Sequence, residues 1–392
     1  MNSKLKLNSL KTLFIFIPCI IPAKLLEGGT VKLFFNSWRI IAFFIMVFYL
    51  FRSKQKASKI LVHCSVFSGI IIISTFLNRG EINSSISIAM MMFTIIGLSE
   101  IQIQKNPAMY FKIIGMVSWV ILLIDTLQIF TEIGFGPLDN STWLGGDNFA
   151  IFTVLPMLGI IVLSDGLNYK RVRNITVMFC MFVVMAKFKT FAVTSILAFF
   201  VLGIGICLES HIAMSKRVKR SIAVIIALLL AFLCINFSDI YMQFATLFGK
   251  EPYIEHSRLA IWNLSIKAIL NKPLIGHGVL GAYKETIVIA GKYWATCSHT
   301  HNYILELLFR GGIIGTIAYM LMFKDYFRVA IQKQNNKLVM LLKVFLIANL
   351  VLWITESYYA QAPVYVLLVL ASHTELLKNY ELTSTKHKLI FK

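Results

Sequence analysis

Residues 297–315 read CSHTHNYILELLFRGGIIG, a polar entrance followed by an apolar helix. His301 and Asn302 stand at the entrance, and the charged residues Glu306 and Arg310 follow within the apolar run. Side chains four residues apart lie on one face of a helix, and an ion pair inside a membrane is costly unless it faces a polar interior. The stretch predicts a membrane span with polar chemistry at its mouth, in which this pair either fixes helix packing or takes part in that chemistry.

The composition of the whole chain indicates a polytopic membrane protein. Of 392 residues, 58% are hydrophobic and 14% are charged, whereas soluble domains have roughly 25% charged residues. The six cysteines form no CxxC pattern, so no disulfide framework is expected. Apolar segments that predict membrane helices lie at about 11–26, 33–51, 60–77, 86–103, 110–130, 149–164, 174–186, 190–208, 221–237, 302–323, 339–355 and 359–377.

The net charge of +20 is distributed unevenly between the two sides of this predicted bundle. One set of alternate connections, which includes both termini, carries twenty-four Lys and Arg residues, and the other carries eleven, six of them in one long loop. An excess of basic residues marks the cytoplasmic side. We therefore expect cytoplasmic termini, and we interpret the charge as an orientation signal rather than a nucleic-acid surface.

This topology divides the chain into three parts. Residues 1–237 are expected to form an N-terminal transmembrane bundle of about nine helices, and residues 238–301 an external loop. Residues 302–392 are expected to form the C-terminal transmembrane helices and a cytoplasmic tail.

The external loop contains a predicted amphipathic helix at residues 257–270. Ser257 is a suitable N-cap, and the sequence Asn-Lys-Pro at 271–273 is expected to end the helix. The apolar side chains that predict its buried face are Leu259, Trp262, Ile266, Ile269 and Leu270.

Two glycine-containing patterns, one at 276–281 and one in the apolar run after His301, predict that backbone segments approach each other closely. The sequence GHGVLG at 276–281 fits the dinucleotide pattern G-x-G-x-x-G, but it follows a helix on the outer side of a membrane rather than a strand of a βαβ unit. A tight turn that lets backbone segments approach each other is the better interpretation. Gly311 and Gly315 form a small-xxx-small pattern, which favours close packing of two helices.

Arg258 and His301 are candidates for direct chemistry, and each also has a structural interpretation. Arg258 would be a solvated arginine or an anion clamp, because guanidinium groups bind phosphate oxygens in pairs. His301 would be a packing residue or a proton acceptor, because imidazole exchanges protons near neutral pH. His299 is treated as a spectator.

Three further polar residues are candidates for substrate binding. Lys187 and Lys189 lie on a short outer connection, where they are either interfacial lysines or anion-binding groups. Asn148 stands at the start of a predicted span, where it either caps the helix or contacts sugar hydroxyls.

The stretches HSRLAIWNLSIKAILNKPLIGHG (256–278) and HTHNYILELLFRGGIIG (299–315) together resemble the O-antigen polymerase and O-antigen ligase family of bacterial envelope glycosyltransferases. The resemblance covers about 60 residues, and the rest of the chain agrees only in topology. Where members of the family often carry an arginine, this chain has Lys189. The positions that carry the resemblance are Arg258, Trp262, Pro273, Gly276, Gly278, His301, Asn302, Gly312 and Gly315.

The resemblance implies an all-α polytopic fold of the GT-C glycosyltransferase type, with about 12 transmembrane helices and a large structured external loop. It places the protein in the bacterial cytoplasmic (inner) membrane, with its active site on the external face. The donor would be a glycan carried on undecaprenyl diphosphate, and the reaction would transfer that glycan to an acceptor hydroxyl. The implied partners are this lipid-linked glycan, the bilayer, a chain-length regulator and a flippase, but no nucleic acid.

Such a reaction assigns roles to the candidate residues. A diphosphate leaving group needs positive charge nearby rather than a general acid, which suits Arg258. A sugar hydroxyl is a weak nucleophile and benefits from a general base, which suits His301. No DxD motif and no carboxylate cluster with metal-ligand spacing occur, so no metal and no other cofactor are expected. The expected substrate-binding residues are Lys189, Asn302, Asn148, Lys187, Glu306 and Arg310.

Three functions remain open, besides a peptidoglycan-type polymerase, which shares lipid-diphosphate chemistry at the outer face but not the His-Asn motif. A polymerase would extend lipid-linked repeat units into O-antigen or a capsular or exopolysaccharide, and a ligase would transfer the glycan to lipid A-core. The sequence favours neither chemically, and we prefer the polymerase because such proteins are more numerous and more varied. A flippase for lipid-linked oligosaccharide is the alternative of a different class, but it should show two related halves, and we find no internal repeat.

The topology can be tested with reporter fusions. A reporter inserted within residues 260–295 should report the external side, and one fused after residue 380 should report the cytoplasm, because the basic residues are concentrated on the side of the termini. Cytoplasmic labelling of the 260–295 insertion would contradict the proposed orientation and the chemistry that depends on it.

Overall fold

The computed structural model describes residues 3–21, 25, 29–53, 58–131, 141–168, 173–189, 193–211, 258–280, 299–332, 336–357 and 361–377. Within these ranges the regular secondary structure is helical apart from one short antiparallel hairpin, in which β1 (Ser141–Thr142) pairs with β2 (Gly145–Gly146). Six of the described helices are long and apolar enough to cross a membrane. The protein is therefore a helical, polytopic membrane protein, and the total of about 12 spans stays a prediction.

The helices of the N-terminal half overlap the apolar segments predicted from the sequence. The predicted span at 221–237 lies outside the described residues. The helices are α1 (Ser3–Phe16), α2 (Gly29–Ser53), α3 (Lys59–Leu77), α4 (Ile82–Lys105), α5 (Pro107–Thr131), α6 (Asp147–Asn168), α7 (Arg173–Lys189) and α8 (Val193–His211).

The C-terminal part contributes the predicted amphipathic helix and four others. The chain ends the amphipathic helix at Asn271, as the Asn-Lys-Pro sequence predicts. The helices are α9 (Arg258–Asn271), α10 (Tyr303–Met322), α11 (Lys324–Ile331), α12 (Lys337–Thr355) and α13 (Ala362–Ser372).

The predicted buried face of α9 is only partly correct: Ile269 is buried as expected, but two other members of that face are not. Ile261, Ala268 and Ile269 are buried, whereas Ile266 and Leu270 are 44% and 70% exposed. Ala268 and Ile269 pack against Phe309 of α10. Apolar residues occur around most of this helix, so periodicity alone could not select the face that meets α10. Ser257, the predicted N-cap, lies outside the described residues.

Helix α10 is interrupted in its middle at Gly312, whose backbone has φ 59° and ψ −164°. In an unbroken helix the N–H groups of Ile313 and Ile314 would donate to the carbonyls of Phe309 and Arg310. The break removes both bonds and leaves four backbone groups in need of partners. Within a membrane each unsatisfied group would cost several kcal/mol.

Residues 272–280, which we call the return segment, supply all four partners. Its N–H groups at positions 277 and 278 donate to the carbonyls of Phe309 and Arg310, at 2.7 and 2.8 Å. In exchange, Ile313 donates to the carbonyl of residue 273 at 2.8 Å and Ile314 to that of residue 274 at 3.1 Å. The loop sequence PLIGHG and the helix sequence FRGGII therefore form one hydrogen-bonded unit.

Glycine is required where these two segments cross. Gly276 and Gly278 have φ of 68° and 73°, in the left-handed region that glycine adopts without strain. A Cβ on Gly276 would lie 2.6 Å from the carbonyl oxygen of Phe309, and one on Gly312 would overlap the carbonyl of Leu274. The predicted tight turn with close backbone approach is therefore confirmed, and the nucleotide-binding interpretation is not needed.

The return segment is also fixed to the last turn of α3 and to the start of α4. Ser74 Oγ donates to the carbonyl of Gly276 at 2.9 Å, and Val279 N–H donates to Thr75 Oγ1 at 2.9 Å. The N–H of Glu81 donates to the carbonyl of Val279 at 2.8 Å. The return segment thus connects α9 to two different parts of the bundle.

The predicted close approach of helices at the small-xxx-small pattern is confirmed as well. A Cβ added to Gly311 would lie 3.3 Å from Ile71 Cδ1, and one on Gly315 would lie 3.3 Å from Ile70 Cγ2. Both neighbours belong to α3, so the two glycines let α10 pack closely on that helix.

Replacing Gly312 with alanine should destabilise the fold. The positive φ alone costs a non-glycine residue about 1–3 kcal/mol, and the added methyl group would overlap the backbone of Leu274. We expect Gly312→Ala to lower the unfolding temperature of the detergent-purified protein and its yield of monodisperse material. The control is Gly69→Ala in α3, where an added Cβ meets nothing within 4 Å. Equal stability of both variants would contradict the role given to the return segment.

Candidate functional site at the start of α10

Asn302 fixes the start of α10. Its side-chain oxygen accepts hydrogen bonds from the N–H groups of Ile304 and Leu305, both at 3.1 Å, which makes it the N-cap of the helix. Its side-chain nitrogen donates to the carbonyl of Ile354 at 3.3 Å, near the end of α12. Asn302 therefore ties the first turn of α10 to the last turn of α12. Its predicted contact with substrate stays a prediction.

His301 is paired with a buried glutamate that the sequence analysis missed. The Nδ1–H group of His301 donates to Glu356 Oε2 at 3.0 Å, and Glu356, the C-cap of α12, is 0% exposed. His301 is 25% exposed, and its backbone has the positive φ of 51°. A carboxylate on Nδ1 holds the tautomer whose lone pair is on Nε2, and it stabilises the imidazolium formed when Nε2 takes a proton.

His299 also belongs to this cluster, although the sequence analysis treated it as a spectator. Its ring lies 4.0 Å from the ring of His301, centroid to centroid, and its Nε2 lies 3.9 Å from Glu356 Oε2. Burial, reinforced by the neighbouring His301, lowers the pKa of His299 to about 4. His299 is therefore neutral at neutral pH.

These three side chains also form a set of possible metal ligands. One nitrogen from each of His299 and His301 and one oxygen of Glu356 lie within 4.8 Å of one another. Within the described ranges, this is the one group in which three histidine, cysteine or carboxylate side chains lie close enough to share a metal ion.

The predicted ion pair between Glu306 and Arg310 is present. Arg310 Nε donates to Glu306 Oε1, and Glu306 is almost completely buried. The second oxygen of Glu306 accepts a hydrogen bond from the N–H of Thr300 at 2.9 Å. The pair therefore holds the residues just before α10, including His301, against the first turns of the helix.

Lys187 is not the exposed interfacial lysine that one interpretation of the sequence suggested. Its side chain is 0% exposed, and its Nζ lies 3.0 Å from Asp125 Oδ2. The other oxygen of Asp125 accepts a hydrogen bond from the N–H of Leu144, in the hairpin, at 3.3 Å. Asp125 thereby connects α5, α7 and the hairpin that leads into α6. The predicted binding of substrate by Lys187 stays a prediction.

The structure gives backbone positions for three other predicted site residues. Arg258 is the first residue of α9, Lys189 is the last residue of α7, and Asn148 is the second residue of α6. Their side chains lie outside the described part of the structure, so their roles stay predictions.

A comparison with known families finds a match over the part of the chain that contains the start of α10. Residues 176–320 match the family model described as O-antigen ligase. This match confirms the family resemblance seen in the motifs. The matched region runs from α7 to α10 and includes the return segment, His299 and His301, whereas Glu356 lies beyond it.

The O-antigen ligase match also supports a broad functional class. It supports a role in O-antigen assembly and an enzyme of the glycosyltransferase type. Together with the apolar helices, it identifies an integral membrane protein. No curated protein matches the chain in a sequence search.

Proposed function

We propose that the protein polymerises undecaprenyl-diphosphate-linked repeat units into O-antigen or a related capsular or exopolysaccharide, at the outer face of the cytoplasmic membrane. The observation that carries this proposal is the pair of His301 and Glu356 at the start of α10, next to the motif shared with O-antigen ligases. The proposal includes a GT-C-like bundle of about 12 spans, the three-part division of the chain and cytoplasmic termini.

The transfer step follows from the chemistry of His301. The acceptor hydroxyl attacks the anomeric carbon of the donor glycan, and the bond from that carbon to the diphosphate oxygen breaks with its electron pair leaving on the diphosphate. His301 Nε2 takes the proton of the hydroxyl as the new glycosidic bond forms. Glu356, bonded to Nδ1–H, stabilises the resulting imidazolium. Undecaprenyl diphosphate is the leaving group, and the scheme needs no metal ion.

The diphosphate requires positive charge, because negative charge grows on it as the glycosidic bond breaks. We assign this role to Arg258, at the start of α9, and to Lys189, at the end of α7. A guanidinium fork binds two phosphate oxygens, whereas an ammonium group acts as a point charge. Arg258→Lys keeps the positive charge but loses the two-point contact, so this variant should have lower transfer activity than the wild type.

In this scheme the remaining predicted residues bind and orient the glycan. Asn302 and the Glu306–Arg310 pair hold the turn that presents His301, and we assign both to the binding of the glycan beside it. We assign contacts with sugar hydroxyls to Asn148, which follows the hairpin that Asp125 holds, and we assign Lys187, paired with Asp125, to the same part of the substrate site.

Ligase activity is the second candidate, because the matched family model is described as O-antigen ligase. The same base and the same donor would serve a ligase, and only the acceptor would differ: lipid A-core instead of a lipid-linked repeat. A flippase is disfavoured, because a match to a transferase family and a histidine–carboxylate pair suit group transfer.

His301→Ala should strongly slow glycan transfer by the purified protein. The assay supplies an undecaprenyl-diphosphate-linked repeat unit and follows product length on gels, with or without lipid A-core. Loss of the base should lower the rate by about 10²–10⁴-fold. Glu356→Gln should lower it by about 10–100-fold, because a hydrogen bond to a charged group contributes about 1.5–3 kcal/mol.

The matched control is His373→Ala. His373 lies 2.8 Å from Glu100 in a similar histidine–glutamate pair, near the end of α4 remote from the return segment. This variant should transfer glycan at the wild-type rate. Normal transfer by His301→Ala would remove His301 from the reaction.

The product made by the wild type separates the two candidate functions. Longer lipid-linked chains would identify the polymerase, and product formed only with lipid A-core would identify the ligase.

A further inference from the structure

We propose that His299, His301 and Glu356 also bind a divalent transition metal ion, with Zn²⁺ as the best fit, and that the bound ion switches off the transfer reaction. The binding part stands on the geometry of the three side chains. The inhibitory part rests on the proposed role of His301 as general base.

The separations between the ligand atoms suit a zinc ion. Glu356 Oε2 lies 3.0 Å from His301 Nδ1 and 3.9 Å from His299 Nε2. Neighbouring ligands around tetrahedral Zn²⁺ are about 3.4 Å apart when each bond is about 2.1 Å long. The two observed separations lie on either side of that value, so small side-chain movements would complete the coordination.

The backbone already holds the ligands together. The turn that carries both histidines is fixed by Thr300, whose N–H donates to Glu306 at 2.9 Å and whose hydroxyl donates to the carbonyl of Asn302 at 2.8 Å. Asn302 in turn bonds to the end of α12, directly before Glu356. Because these groups are ordered before the ion arrives, binding requires little additional loss of conformational entropy.

The donor set selects the class of ion. Two imidazoles and one carboxylate are typical ligands of zinc sites that keep a fourth position for water or substrate. Ca²⁺ and Mg²⁺ prefer shells made of oxygen atoms alone, so they should compete poorly. Glu356 is fully buried, and a nearby cation offsets the cost of burying its charge.

Metal binding would remove the base by changing the tautomer of His301. The ion takes the lone pair of Nδ1, so the one proton of the neutral ring must be carried by Nε2. An Nε2–H group has no lone pair for the proton of the acceptor hydroxyl. The tautomer of His301 that binds zinc through Nδ1 is therefore not the tautomer that can accept a proton at Nε2. Zinc binding and proton transfer exclude each other.

The pair of Glu100 and His373 provides an internal comparison. It has a similar nitrogen–oxygen distance of 2.8 Å, but within the described ranges only the His299–His301–Glu356 cluster brings a third ligand into reach. A two-ligand pair should bind zinc far more weakly than a three-ligand site.

Zinc binding can be measured on the full-length protein, purified in detergent without a polyhistidine tag and treated with a chelator. We expect calorimetric titration with Zn²⁺ to show a site that is weakened at least about tenfold in His299→Ala and in His299→Gln, and that is unchanged in His373→Ala. The glutamine variant keeps a polar side chain and guards against loss of folding. Equal zinc affinity in wild type and both His299 variants would overturn the metal site.

The transfer assay tests inhibition separately. Zinc should inhibit the wild type at the concentrations that fill the site, and at least about tenfold more zinc should be needed to inhibit His299→Gln, each measured relative to its own rate without zinc. Site-specific binding without inhibition would refute the switch and the role of His301 as base, yet leave the metal site intact. Loss of activity on chelation, restored by zinc, would instead overturn inhibition and the metal-free transfer step.

Discussion

The exchange of backbone hydrogen bonds between α10 and the return segment determines how α9, the return segment and α10 are arranged. The break at Gly312 leaves two carbonyls and two N–H groups that a membrane interior would not tolerate unpaired, and residues 273–278 supply partners for all four. The return segment also bonds to the last turn of α3. It is thereby held against the bundle, and α9 is held beside the half of α10 that begins at the candidate site.

The candidate site depends on a second set of polar contacts, made by buried carboxylates. Glu306 bonds to Arg310 and to the backbone of Thr300, and Glu356 bonds to His301. Buried charged groups are costly unless they are paired, so each contact favours one geometry of the turn between residues 299 and 302. This turn is consequently rigid enough to present an imidazole in a defined tautomer.

The parts that the sequence could predict are those encoded by local patterns. Apolar runs located the helices, the glycines marked close approach, and the spacing of Glu306 and Arg310 predicted their ion pair. The partners that it missed are distant in sequence: Glu356 lies 55 residues after His301, and Asp125 lies far before Lys187 on a different helix. A signal for Glu356 was present, since it is an acidic residue directly after an apolar span, but only the packing of α12 against α10 shows what it meets.

The central claim is that His301 receives the proton of the acceptor hydroxyl. The most direct measurement is a structure of the protein with a lipid-diphosphate-linked glycan and an acceptor bound. Our account predicts the diphosphate beside Arg258 and the acceptor oxygen within about 3.2 Å of His301 Nε2, the reach of a general base. A substrate bound elsewhere, for example near Glu100 and His373, or an acceptor oxygen out of reach of His301, would contradict it.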